Sequence, residues 1–143
     1  PQMFDELVAP YYRRLFHWVH ENTSWKVFFH SCGGVYPIIA TLIECGVDIL
    51  NPVQTEAAGM DPARLKAEFG DRLVFWGGGI ETQRVLPSGS TAEIQTQVRE
   101  RLHTLGPGGG FVFAPTHNIQ EDVPPVNVLL AYTAARRYGS YPL

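Results

Sequence analysis

Trp25-Lys26-Val27-Phe28-Phe29-His30-Ser31-Cys32-Gly33-Gly34 is the stretch that decides how the chain is read. Its first five residues have the β-branched and aromatic character of a strand, Trp25–Phe29, and the run ends in a histidine, a cysteine and two glycines. Side chains two apart on a strand point the same way, so the His30 imidazole and the Cys32 thiol share a face. The glycines allow the backbone to turn sharply just beyond them. Two soft or borderline donors at the carboxyl end of a strand are two of the three protein ligands that a catalytic zinc ion needs. A core histidine beside a buried free thiol is the competing reading of any isolated His-x-Cys. The setting favours the metal, because every later strand also ends in a polar or glycine-rich loop.

Working outward, one rhythm repeats: a short apolar run, a loop, then an amphipathic helix. Met3 to Glu21 reads as helix, with Phe4, Leu7, Val8, Tyr11, Leu15, Trp18 and Val19 near a 3.6 period. Pro10 either kinks it or starts a second helix in its first turn. After strand Trp25–Phe29 comes a helix over Val35–Cys45, closed by Gly46. Strand Val47–Leu50 leads into a loop from Asn51 to Gly59, and Asp61-Pro62 opens a helix that stops at Gly70. Strand Leu73–Trp76 runs into Gly77-Gly78-Gly79-Ile80-Glu81. Beyond a turn at Pro87-Ser88-Gly89, Ser90 and Glu93 have capping-box spacing, and Ile94, Val98, Leu102 and Leu105 mark one helical face. Gly106 to Gly110 is a connector, Phe111–Phe113 a short strand and Pro115 to Asp122 its loop. A helix over Val126–Tyr138 and a short tail that packs down complete the chain.

Strands alternating with helices imply an α/β fold with a parallel sheet and right-handed crossovers. Four strand–helix units suit a small open sheet or part of a barrel. A full (β/α)8 barrel takes about 250 residues, and 143 residues supply roughly half. In either arrangement the loops after the strands gather on one rim, where such folds keep their chemistry. That rim collects His30, Cys32, Gln54, Glu56, Glu81, Gln83, His117 and Asn118.

Bulk properties narrow the function classes. The chain is 45% hydrophobic and 17% charged, enough for one core. A net charge of −3 gives no footprint for nucleic acid or an anionic membrane. No stretch approaches the roughly 20 apolar residues of a membrane span. With two cysteines and no signal-peptide pattern, a disulfide framework is not expected and a cytoplasmic setting is the default. The chain opens at Pro1, directly into a helical pattern, which reads as a cut start and a single partial domain over residues 1–143.

Other candidates separate by position. His117, four residues past the Phe111–Phe113 strand, suits a third zinc ligand or a proton donor. Glu81 suits a base or a metal ligand, or else an exposed acid on a tight turn. Gly77, Gly78 and Gly79 permit close approach of a bound cofactor or ligand to the backbone. Cys45, late in a helix, reads as packing. His17, His20 and His103 read as solvated or capping residues. Gly106-Pro107-Gly108-Gly109-Gly110 precedes a strand and lacks dinucleotide spacing, so it reads as a turn.

These residues together carry a family resemblance. Phe4-Asp5-Glu6-Leu7, Pro10-Tyr11-Tyr12-Arg13-Arg14, His30-Ser31-Cys32-Gly33, Trp76-Gly77-Gly78-Gly79-Ile80-Glu81-Thr82-Gln83 and Thr116-His117-Asn118 before Pro124-Pro125-Val126-Asn127 resemble the C-terminal half of the uroporphyrinogen decarboxylase superfamily. The resemblance implies a (β/α)8 TIM barrel, of which this chain is a C-terminal half-barrel with about four parallel strands. Its two branches are uroporphyrinogen decarboxylases, carboxy-lyases of porphyrin biosynthesis that need no metal, and zinc methyltransferases that move a methyl group between a corrinoid and a thiol. The methyltransferases carry a His-x-Cys pair where His30 and Cys32 stand, and usually a cysteine as third ligand. The decarboxylases have a histidine followed by glycine where this chain has His117 and Asn118.

The resemblance thus implies a zinc-dependent methyltransferase with His30, Cys32 and His117 as ligands, Glu81 as the alternative third, and a corrinoid or corrinoid protein over the rim. The alternatives are the decarboxylase, with a tetrapyrrole substrate and His117 moving a proton, and a non-catalytic corrinoid- or tetrapyrrole-binding module. The half-barrel is expected to be inactive alone, and to associate with its N-terminal half or with itself.

Overall fold

Local signals in the chain set most of the helices. In the computed structural model, which describes all 143 residues, α1 spans Gln2–Leu7 and α2 Ala9–Asn22, with Val8 between them. Pro10 lies in the first turn of α2 and so begins a second helix instead of bending one. Strand β1 is Phe28–His30, and α3, Tyr36–Cys45, ends at Gly46 in the left-handed conformation (φ 101°). Strand β2 is Ile49–Asn51. Helix α4, Pro62–Phe69, starts where the Asp61 carboxylate accepts from the Arg64 amide. Strand β3 is Val74–Trp76, and the one-turn helix α5 is Val85–Ser88. Helix α6, Thr91–Leu105, opens on the full Ser90–Glu93 capping box. Strand β4 is Phe111–Val112, and α7 is Pro125–Tyr138.

The four strands form one parallel sheet in the order β1-β2-β3-β4. Phe28 pairs with Ile49, Phe29 with Leu50 and His30 with Asn51; Ile49 then pairs with Val74 and Leu50 with Phe75. This register sorts the side chains by alternation. Leu50 and Phe75 are fully buried beneath the helices, in a core shared with Ile39, Leu42, Met60, Leu65 and Leu105. A second core under α6 and α7 holds Ile80, Leu86, Ile94 and Val98. On the opposite face Phe28 is 48% and Trp76 38% exposed, their rings meeting edge-on at 5.3 Å. Sheet, helices on one side and an open apolar face on the other make a half-barrel, the open face being the one a closed barrel turns inward.

Several elements differ from the sequence reading for physical reasons. β1 starts at Phe28 instead of Trp25, because the Val27 amide is taken by the Asp48 carboxylate at 2.7 Å. Val47, Asp48, Leu73 and Phe113 likewise fall outside the strands. Pro87 lies inside α5, which the sequence reading treats as a turn. On α2 the core-facing row is Tyr12, Phe16 and Val19, with Tyr12 stacked on Phe16 and edge-on to Phe29. The row Leu7, Tyr11, Leu15 and Trp18 faces solvent instead. The tail packs down as expected, with the Tyr141 hydroxyl donating to the Gly106 carbonyl at 3.0 Å. No helix is long and apolar enough to cross a membrane.

Candidate metal and substrate site

His30 closes β1 on the open face of the sheet, and Cys32 follows two residues on. The Cys32 sulfur lies 3.4 Å from His30 Nε2. Directly across the ladder, Asn51 Oδ1 is 2.7 Å from His30 Nδ1, and Asn51 Nδ2 donates to the Trp76 carbonyl at 2.9 Å. The amide orientation is therefore fixed from β3, and it presents oxygen to the imidazole. His30 Nδ1–H must be the donor, which leaves the Nε2 lone pair facing the thiol. An outer hydrogen bond that fixes the tautomer and aims the other nitrogen is the usual support of a metal-ligating histidine. At a tetrahedral zinc with bonds of about 2.0 and 2.3 Å, nitrogen and sulfur stand roughly 3.5 Å apart. The pair fits that spacing.

The structure does not assemble the expected third ligand. No group of three His, Cys, Asp or Glu side chains is placed to hold a metal ion. His117 is exposed and shares a hollow of about 140 Å³ with His30, Asn51, Pro52, Ala114, Pro115 and Asn118. It follows β4, three strand spacings of about 4.8 Å from β1, so curvature brings it to the same hollow but not into one ligand set.

Glu81 has a different occupation from the one its sequence suggests. It is buried, and its carboxylate accepts from the amides of Gln83, Arg84 and Val85, while its own amide donates to Gln97. Those contacts are a carboxylate cap on α5, not the open lone pairs of a base or ligand. Gly77 and Gly78 have φ of 116° and 78°, and a side chain on Gly79 would collide with the Phe113 ring. What requires glycine there is the packing of the loops that follow β2, β3 and β4 against one another, where the sequence reading has a ligand approaching the backbone.

Seven of the eight rim residues divide between two hollows, and Cys32 lines neither. His30, His117 and Asn118 line one; Gln54, Glu56, Glu81 and Gln83 line the other, a cavity of about 210 Å³, with Gly33, Ala57, Thr82 and Thr116. Cys45 is buried, its thiol donating to the Ala9 carbonyl, and burial pushes its pKa up. His20 bonds Asp48 at 2.8 Å and so links α2 to the sheet. The glycine connector is a turn, with Lys66 donating to the Gly109 carbonyl. Asn51 and the pair Thr82–Thr116 escape the sequence reading, since only strand register and loop packing bring them to the site.

Parallel strands, flanking helices and chemistry at the carboxyl ends of the strands define a barrel-type α/β protein represented by one half. Residues 1–138 match the family profile described as uroporphyrinogen decarboxylase (URO-D). The chain belongs to that family. Among solved structures it resembles a methyltransferase from Methanosarcina mazei, with a TM-score of 0.75 and 21% identity over 98% of this chain and 38% of the methyltransferase. The chain thus spans well under half the length of that relative. No curated protein sequence matches it.

Proposed function

We propose that the protein takes part in zinc-dependent transfer of a methyl group between a corrinoid and a thiol. The observation that carries this reading is the His30–Cys32 pair, 3.4 Å apart with its tautomer set by Asn51. His30 Nε2 and Cys32 Sγ would hold the metal, and Asn51 would keep the imidazole turned toward it. Zinc held there would supply a Lewis acid able to deprotonate a thiol near neutral pH. Phe28 and Trp76, on the same open face, would offer an apolar surface beside the pair. The third ligand would come from His117 after a loop movement or from the remainder of the barrel. The fold likeness to a methyltransferase supports the reading at the level of architecture.

The test uses the complete barrel. The unmodified protein should retain up to one zinc per chain and methylate a thiol from methylcobalamin. Cys32→Ser should lose both, and Cys45→Ser neither. Equal zinc retention in the two variants would refute the His-x-Cys site. Decarboxylation of uroporphyrinogen, the family's other chemistry, has its own support in His117, an exposed imidazole that shares the hollow with His30. Carbon dioxide release that survives Cys32→Ala and a chelator would select that chemistry.

A further inference from the structure

The second rim cavity is lined by none of His30, Cys32 and His117, and its walls have a distinct chemistry. Each of the four loops contributes: Gly33 after β1, Gln54 and Glu56 after β2, Thr82 after β3 and Thr116 after β4. Thr82 and Thr116 are 5% and 3% exposed, and their hydroxyls stand 3.4 Å apart with no other side-chain partner. A good O–H···O bond is about 2.7–2.8 Å, so this buried pair is poorly satisfied. Buried hydroxyls normally find a partner. Gln54 Oε1 accepts from the Gly33 amide, which leaves its Nε2 as a free donor.

The wall also fixes the charge it tolerates. Both of its ionisable groups, Glu56 and Glu81, are acids, and Arg101 reaches Glu56 at 3.5 Å from behind. An anionic ligand would meet two carboxylates and no cation among the lining residues. A neutral group with both an acceptor and donors would not. Its carbonyl can take the threonine hydroxyls and the Gln54 amide, and its N–H groups can give to Glu56. The volume, about 210 Å³, has room for roughly seven waters at about 30 Å³ each, enough for a carboxamide on a short arm.

We propose that this cavity is a binding site for a primary carboxamide. The inference rests on the methyl-transfer reading only for its natural ligand: corrinoids carry carboxamide arms, whereas uroporphyrinogen carries carboxylates. Acetamide and acetate, nearly equal in size, separate the two chemistries. In protein labelled with 13C at threonine methyls, acetamide should shift the Thr82 and Thr116 signals saturably and acetate should not. Thr82→Val and Thr116→Val keep the shape and remove one hydroxyl each; either should weaken acetamide binding at least tenfold, read at the remaining threonine, with an unchanged circular dichroism spectrum. No saturable shift with acetamide, equal shifts with acetate, or full affinity in both variants would overturn the proposal. Acetamide binding by a protein that fails to methylate thiols would support the site and count against methyl transfer alone.

Discussion

Glu81→Gln separates a catalytic acid from a structural one. The carboxylate of Glu81 is shared among three backbone amides: Oε2 accepts from Arg84 at 2.9 Å and Val85 at 2.8 Å, and Oε1 from Gln83 and, more weakly, Arg84. Glutamine has the same outline but keeps one acceptor oxygen, so its NH₂ must point at amide hydrogens. One or two charge-assisted bonds are lost at about 1.5–3 kcal/mol each. The residue is 5% exposed and meets solvent only along the cavity wall, so water replaces them at most in part. A total near 3 kcal/mol, at roughly 4 °C per kcal/mol for a chain of this size, lowers Tm by about 12 °C.

Thermal unfolding followed by circular dichroism, with zinc content measured on the same sample, checks this. The expected outcome is the full loss of Tm with zinc retention unchanged once the protein is folded at low temperature. A Tm within about 2 °C of the unmodified protein, together with lost zinc or lost turnover, would show that Glu81 acts on metal or substrate and that the capping argument is wrong.

Asn51→Ala should free the His30 ring and weaken zinc binding by about 10- to 100-fold, the usual cost of removing a metal ligand's outer partner; competition with a chromophoric chelator reads this, and unchanged affinity would show that Asn51 does not set the tautomer. Burial of Asp48 opposes its ionisation, but the Val27 amide, His20 and Lys26 outweigh it and hold its carboxyl below the ordinary range. A depressed folded pKa contributes stability that is full above the unfolded value of about 3.9 and is lost as pH falls through the folded one. Urea midpoints should therefore drop below about pH 4, and that drop should shrink in Asp48→Asn; an identical acid profile would refute it. β1 pairs only with β2 and β4 only with β3, and the open face carries Phe28 and Trp76, so this chain should associate with a copy of itself or with an N-terminal half-barrel. Sedimentation showing only a folded 15.9 kDa species at high concentration would refute that.

The elements that could be read from the chain are those whose signals are local. Gly46, Asp61-Pro62 and the Ser90–Glu93 box each fix a helix end through bonds to residues within four positions, and each appears in the structure as the sequence implies. Strand ends are not local. Trp25 has strand character, but only a residue with a neighbour in the ladder is held there, and the Asp48 carboxylate takes the Val27 amide first. The same limit explains α2: Tyr11, Leu15 and Trp18 form as good an apolar row as Tyr12, Phe16 and Val19, and only the positions of Phe29 and α3 decide which is buried. At the site, His30 and Cys32 were legible because they are two residues apart. Asn51 needs the register, Thr82–Thr116 joins residues 34 apart, and the Glu81 cap depends on a one-turn helix whose Pro87 reads as a turn.

Register also links the core to the chemistry. Leu50 is fully buried on the helix side of the sheet, and Phe29 pairs with it and packs against the same core. Their neighbours His30 and Asn51 are thereby held on the other face and directly opposite each other, which is what allows the 2.7 Å bond that sets the imidazole. A slip of one residue between β1 and β2 would bury His30 and expose Phe29, or bury Asn51 and expose Leu50. The cost of exposing that side chain, about 1.5–3 kcal/mol, therefore protects the geometry of the donor pair. The hydrophobic pattern of the strands is in this sense the first determinant of the site, and the His-x-Cys spacing the second.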